Sequence, residues 1–136
     1  MEKRPKVGIG VLVRLDNKVL LGKRINAHNA GTWAFPGGHL EWYESFEDCA
    51  RREVLEETGM TVKNVRFAGV TNDFFIEDEK HYVTIFMICD HDHGVAEIRE
   101  PDKCTEWNWF SWDRLPSPLM VGVGNLLHSG YHPFRD

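Results

Sequence analysis

Between Gly38 and Met60 the chain reads GHLEWYESFEDCARREVLEETGM, and the spacing inside this run dictates one helix. Ser45 stands where an N-cap is needed, with Asp48 three residues on as a variant of the capping box. Gly59 stands where the chain must leave the helix in a left-handed conformation. Together these signals predict a helix over 46–58. Phe46, Ala50 and Val54 recur at i, i+4 and i+8 and predict an apolar edge, while Glu53 and Glu57 stack one turn apart beside it with Glu56 adjoining. The buried side of this helix is therefore expected to be apolar at its start and anionic at its end.

That arrangement needs compensation. Like charges at i,i+4 destabilise a helix by roughly 0.2–0.5 kcal/mol in water, and the cost rises when carboxylates leave solvent. Glu47 with Arg51, Asp48 with Arg52 and Arg52 with Glu56 form i,i+4 pairs, but Glu53 and Glu57 have no basic residue at i±3 or i±4. A hard cation fits the gap, because Mg2+ and Mn2+ accept carboxylates, backbone carbonyls and water and share their sites with substrate phosphates. A solvated helix laced with ion pairs is the ordinary reading of an E/R-rich segment. It does not account for Phe35-Pro36-Gly37-Gly38, one short loop ahead, where glycines let the backbone turn tightly and approach a ligand and where the Gly38 carbonyl is free to point at a metal.

The rest of the chain frames this helix. At 136 residues it is expected to form a single domain over 1–136. Val7–Leu15 and Lys18–Arg24 are β-rich runs joined by Asp16-Asn17, a two-residue hairpin signal. Val62–Asn72, His81–Asp90 and Glu106–Trp112 carry the branched and aromatic residues of strands, and a closing helix fits Ser117–Ser129. This order predicts an α/β chain with a mixed sheet and helices on both faces. Trp107 and Trp109, at i and i+2 on one strand face, are expected in the core or an interface rather than as a base platform, and His91-Asp92-His93-Gly94 reads as an exposed turn.

A formal charge of -5 argues against sequence-independent binding to nucleic acid, which rests on basic contacts to phosphates. The apolar run from Val7 is interrupted at Arg14, so neither a signal peptide nor a membrane helix is expected. Three cysteines, Cys49, Cys89 and Cys104, without C-x-x-C spacing, favour free thiols in a reducing compartment, and hence a cytoplasmic protein.

Written as G-x5-E-x7-R-E-U-x-E-E-x-G-U, with U a bulky aliphatic residue, the pattern of the first run is filled at Gly38, Glu44, Arg52, Glu53, Val54, Glu56, Glu57, Gly59 and Met60. It resembles, without a mismatch, the box of the Nudix hydrolases, which implies an α/β/α sandwich. The likeness extends to the branch of thiopurine and oxidised nucleoside triphosphate diphosphatases and its plant cytosolic relative. It is carried by VLLGKR at 19–24, FPGGHLE at 35–41, HYVTIFM at 81–87, EPDKCTEWNWFSWDRLP at 100–116 and SGYHPF at 129–134.

By this resemblance Glu53, Glu56 and Glu57 with the Gly38 carbonyl hold Mg2+, for which Mn2+ is a substitute. Arg52 orients the carboxylates, and Glu44 is a further acid near the metal. The implied activity is hydrolysis of a normal or modified nucleoside triphosphate to monophosphate and pyrophosphate. The base that takes the proton from water is left open between a box glutamate and Glu100, Asp102 or Glu106. Related chains carry Glu where this one has Thr105, so a downstream metal ligand is not expected there. Arg24, His39 and Tyr82 match positions lining the nucleotide pocket, and Gly122 with Val123 match the segment that meets the base edge. The likeness also implies pairing as a homodimer.

Other readings are weighed by their second motifs. The coenzyme A pyrophosphatase pattern lacks its Thr, Ser and second Arg here, and Phe75, Ile76, Glu77 and Asp78 occupy the region where ADP-ribose and dinucleoside polyphosphate enzymes place Pro or Tyr. Hydrolysis of linked nucleoside diphosphates such as NADH, ADP-ribose or nucleotide sugars remains the enzymatic alternative. A non-catalytic nucleotide-binding module is the other, although such domains typically lose a box glutamate and this chain keeps all of them.

Overall fold

The structure, a computed structural model, describes residues 3–25 and 30–135. Strands β1 (Lys6–Leu15) and β2 (Lys18–Arg24) form the expected hairpin, with Asp16 and Asn17 both at positive φ, 51° and 63°. This is the backbone of a primed turn, whose twist matches that of the flanking strands. Two very short strands follow, β3 (Trp33–Ala34) and β4 (Gly37–His39), then helix α1 (Phe46–Thr58), strands β5 (Thr61–Phe75), β6 (Lys80–His93) and β7 (Cys104–Phe110), a 3-10 turn at Trp112–Arg114, and helix α2 (Val121–His128).

One mixed sheet runs β3-β2-β1-β6-β5, with β4 paired to β1 and β7 to β2. β1 is its axis. It pairs in parallel with β6 from Lys6↔Tyr82 to Arg14↔Asp90. Its other edge is divided, with β2 bonded near the hairpin at Arg14↔Val19 and Leu15↔Lys18 and β4 bonded at the opposite end at Gly8↔His39, Ile9↔Gly38 and Gly10↔Gly37. β2 diverges there to pair with β7 and β3, so the sheet forks, and the fork is where the cleft described below opens.

Period-two alternation gives the sheet two apolar faces, as expected for strands covered on both sides. Ile9, Val11, Val13, Leu20, Met87 and Cys89 pack with Cys49, Ala50 and Val54 of α1. Leu12, Val19, Leu21, Phe86 and Ile88 pack on the other side with Val123 and Leu126 of α2. This is the α/β/α sandwich that the order of elements predicts. Each fully buried aliphatic side chain in these layers contributes about 1.5–3 kcal/mol over an exposed one.

Four local expectations are corrected. Phe46 does not join the apolar edge of α1: it is exposed, and Cys49 takes the buried position beside Ala50 and Val54. Trp112 lies in the 3-10 turn rather than in β7, buried and stacked on Phe35, so its aromatic character serves the core and not the strand ladder. The last helix starts at Val121 and not at Ser117, because the backbone of 118–120 is engaged with β3: Trp33 N–H donates to Pro118 O, and Met120 N–H to Trp33 O, each at 2.9 Å. His91, Asp92 and His93 close β6 instead of forming a turn, and the chain bends only at Gly94, where φ is 96°.

Cys49, Cys89 and Cys104 are all free and buried, and burial pushes the Cys49 and Cys89 thiols up to about 12. Among the described residues no helix is long and apolar enough to cross a membrane.

Candidate active site

Helix α1 begins and ends where local chemistry requires. Ser45 Oγ accepts from the Asp48 N–H at 3.0 Å, and Gly59, at φ 80°, turns the chain out of the helix while its N–H bonds Leu55 O. The carboxylates between these ends face the fork of the sheet. A side chain at Gly38 would overlap the Glu53 carboxylate, with its Cβ 2.5 Å from Glu53 Cδ, so the box glycine leaves the room in which that carboxylate sits against β4. Gly37 N–H donates to Glu57 Oε2 at 2.8 Å, a backbone contact that sequence spacing does not reveal.

Arg52 is the hub of the acidic cluster. Its Nε and Nη2 form a fork with Glu44 at 2.7 and 3.0 Å, its Nη1 reaches Glu53 Oε1 at 2.9 Å and Glu56 Oε2 at 3.3 Å, and Nη2 also donates to His39 O at 3.2 Å. Glu53 therefore has a cationic neighbour after all, at i−1, although none at the helical spacings. The hydrogen bond from Arg52 holds the Glu44 carboxyl down at about 2, while Glu44 in turn raises the guanidinium further above its ordinary value. Glu53 and Glu57 move the other way. Burial pushes both carboxyls up, outweighing Arg52 at Glu53 and the Gly37 N–H at Glu57; the Glu56 charge raises Glu53 further while a hydrogen bond with Glu57 lowers it, and the Glu53 and Glu100 charges raise Glu57. Glu56 is about half exposed and faces solvent at the cluster's edge.

Two half-buried carboxyls side by side, raised because their charge is poorly solvated, form an oxygen donor set that suits a hard divalent cation. Among the described residues no three or more His, Cys, Asp or Glu side chains enclose a cation position by themselves. The residues thus fit an open site that a phosphate or water would complete.

Glu53, Glu56 and Glu57 line a cleft of about 680 Å3, within the range of ligand-sized sites. Arg24, His39, Tyr82 and Val123 of the residues expected to bind substrate reach this cleft. Gly122 does not: it is buried one position away, packed against Asp73 and Phe86. His39 Nε2 and Tyr82 OH are 3.1 Å apart and their rings stack, so each satisfies the other while lining the cleft. Burial, then Lys6, Lys80 and Lys103, lower the His39 imidazole's affinity for a proton. Arg24 and Trp107 line the cleft, and the Nε of the one and the Nε1 of the other are buried with no hydrogen-bond partner among the described residues. Trp107 and Trp109 pack on the α1 side of the core as expected, and Trp107 alone of the two also meets the cleft.

Glu100 and Asp102 line the cleft from the loop ahead of β7, whereas Glu106 sits on β7 opposite Lys23 and does not. Thr105 is exposed, with its hydroxyl directed to Lys23 O. Sequence reasoning missed Thr84 and Phe86, which line the cleft, and Asp73, which is bonded to the Thr84 hydroxyl behind it. Asp73, wholly buried, followed what read as a finished strand, and its signal was a charged residue directly ahead of the strand-forming aromatics Phe74 and Phe75.

The fold and the filled box together place the chain in one family. The NUDIX domain family model matches residues 4–128, and the chain belongs to the Nudix hydrolases. It is 34% identical over 112 residues to an ADP-ribose pyrophosphatase of Methanocaldococcus jannaschii, covering 82% of this chain and 65% of that protein. It is 36% identical over 111 residues to an oxidized purine nucleoside triphosphate hydrolase of Danio rerio, covering 81% and 69%. A MutT NUDIX hydrolase of Burkholderia pseudomallei superposes with a TM-score of 0.85 at 29% identity over 95% of this chain and 98% of that one. The chain thus spans slightly less than two thirds of the archaeal relative's length. Enzymes of this family generally use a divalent metal, typically Mg2+.

Proposed function

We propose that this Nudix hydrolase is a Mg2+-dependent nucleoside triphosphate pyrophosphohydrolase that releases monophosphate and pyrophosphate and acts on normal or modified nucleotides in pool sanitation. The observation that carries the reading is the mixed lining of the cleft, in which the carboxylates of Glu53 and Glu57 share one cavity with Phe86, Val123 and Thr84, acidic groups for a cation beside apolar surface for a base. The similarity to the Danio rerio enzyme supports the same substrate class. Glu53, Glu56, Glu57 and the Gly38 carbonyl would hold the cation, and Mn2+ would substitute for Mg2+ there. When bound, the cation supplies Lewis acidity and neutralises charge on the phosphate oxygens.

Arg52 holds Glu44, Glu53 and Glu56 in one array, so that the carboxylates are placed before substrate arrives. Arg24, with its unpartnered Nε, and the lysines at the rim meet the remaining phosphate charge. Water adds to phosphorus, the bond to the bridging oxygen breaks, and the proton passes to a carboxylate. Glu100 and Asp102, which line the same cleft as the box glutamates, are the other acids we propose for that transfer. The substrate is a small molecule rather than a nucleic acid or membrane, and we place the enzyme in the cytoplasm, as the three free thiols favour.

One feature favours a second reading, cleavage of linked nucleoside diphosphates. A shallow groove of about 510 Å3 lined by Val7, Leu40, Trp42 and Tyr43 adjoins the cleft through Lys6, His39 and Glu41, and offers apolar surface to a second moiety. Chromatographic product analysis with Mg2+ separates the two, using canonical, oxidised and methylated nucleoside triphosphates beside NADH, ADP-ribose and nucleotide sugars. Monophosphate and pyrophosphate from triphosphates support the leading reading. Cleavage confined to the linked substrates transfers the assignment, and binding without cleavage leaves a nucleotide-binding module.

A further inference from the structure

Asp73 is 0% exposed, and its carboxylate joins three elements. Oδ2 accepts from the Thr71 hydroxyl at 3.1 Å and from the Thr84 hydroxyl at 2.5 Å, and Oδ1 accepts from Asn125 Nδ2 of α2 at 2.9 Å. The same Oδ2 lies 2.7 Å from where a Cβ on Gly122 would stand, so the carboxylate sits against the first turn of α2. That turn has no side-chain cap, since Met120 occupies the N-cap position, and a carboxylate there complements the positive end of the helix. Asp73 thereby ties down the segment that brings Met120 and Val123 to the cleft.

The bond to Thr84 has a chemical consequence inside the cleft. A hydroxyl owns one proton and two lone pairs. The short, charge-assisted bond to Asp73 engages the proton, and Thr84, which lines the cleft floor, is left with lone pairs to offer. We infer that Asp73 is a specificity-positioning residue, which by holding the Thr84 proton makes the cleft floor an acceptor that selects bases presenting an N–H at that point. The inference rests on the reading of this cleft as a nucleotide site, and deepens it.

The test compares nucleotides matched except for one N–H bearing group: guanine against hypoxanthine, adenine against unsubstituted purine, cytosine against 2-pyrimidinone. Two quantities are read, kcat/KM on the triphosphates and the Kd of the monophosphates, the second needing no turnover. The wild type is expected to favour the donor-bearing member of at least one pair by about tenfold or more, as sites built around a buried hydrogen-bonding group do. In Asp73→Ala and in Thr84→Val that ratio should fall to within about threefold, and the double variant should show no further loss, because the first residue acts through the second. Asp73→Asn should retain the ratio, since its amide oxygen still accepts from Thr84 when Asn125 turns its own amide.

A purely structural Asp73 would lower all members of a pair alike and leave the ratio intact, and that result overturns the inference. So does a wild type without preference in any pair. If Asp73→Ala does not fold, Thr84→Val and Asp73→Asn decide alone: loss in the first with retention in the second supports the inference, and any other combination overturns it. Absence of triphosphate cleavage alongside a clear Kd ratio would sink the proposed function and leave Asp73's role standing.

Discussion

Arg52 grips Glu44 with two bonds of 2.7 and 3.0 Å and from the same guanidinium reaches Glu53 and Glu56. A planar fork can do this and a point charge cannot, so Arg52→Lys is not conservative here. The variant is expected to lose about 1–3 kcal/mol of stability in urea denaturation, the scale of a hydrogen bond to a charged group. Its kcat should fall by about tenfold or more while the fold persists, because the carboxylates lose their common anchor. Wild-type kinetics in Arg52→Lys would show that the hub is not needed for turnover.

The same pair sets an acid limit. Arg52 lowers the Glu44 carboxyl from its ordinary 4.5 to about 2. A depressed carboxyl stabilises the folded state above the unfolded value and loses that contribution as pH falls toward the folded one. Stability should therefore decline between about pH 4.5 and pH 2, and Glu44→Gln should remove part of that decline while being less stable at neutral pH. Urea midpoints of both proteins across this range measure it. Parallel curves would mean that Glu44 contributes nothing to the acid limb.

The bounds of helix α1 were legible to the residue because its signals are local, Ser45 capping and Gly59 stopping it, while its buried face was legible at Ala50 and Val54 but not at Phe46, which is exposed where Cys49 packs inward. The hairpin at Asp16-Asn17 was legible for the same reason. Strands β3 and β4 were not, since two or three residues carry no period, and they exist only because β1 and β2 diverge and offer them free edges. The acids of the site stood out as charges with no helical partner, yet the Arg52 contact to Glu53 is an i,i+1 contact that helical spacing rules do not consider. Asp73 was invisible for a different reason. Its partners Thr84 and Asn125 lie 11 and 52 residues away, and only the folded sheet brings them together.

Glu57 presents a conflict between stability and function. Burial raises its carboxyl well above the usual range, and Glu53 adds repulsion. Glu57→Gln removes a charge that the fold solvates poorly while leaving an oxygen for the Gly37 N–H. The variant is therefore expected to be more stable by about 1 kcal/mol, or about 3 °C in Tm. Its activity should fall by more than about a hundredfold, as when one preorganised electrostatic contact to the reacting groups is removed. Mg2+ should raise the Tm of the wild type more than that of the variant, because a cation that binds only the folded state stabilises it by mass action. Equal shifts in both would remove Glu57 from the metal site.

Gly38 decides where the Glu53 carboxylate can sit. A methyl group there would stand within 2.5 Å of Glu53 Cδ, far inside van der Waals contact, and on a strand residue paired to Ile9 of the central β1. Because β4 is held by β1 on one side, the displaced group must be the Glu53 carboxylate, which would carry its bond to Arg52 with it. Gly38→Ala is thus expected to lower kcat/KM by about a hundredfold, since a misplacement of about 1 Å at a reacting centre has that effect. The global fold should survive, because Val54, Ala50 and Cys49 anchor α1 independently of the loop. Circular dichroism and Tm would verify the fold, and Mg2+ titration of activity would locate the damage: a raised metal requirement points to the displaced carboxylate. A fully active Gly38→Ala enzyme would show that the close approach of Glu53 to the loop is dispensable for catalysis.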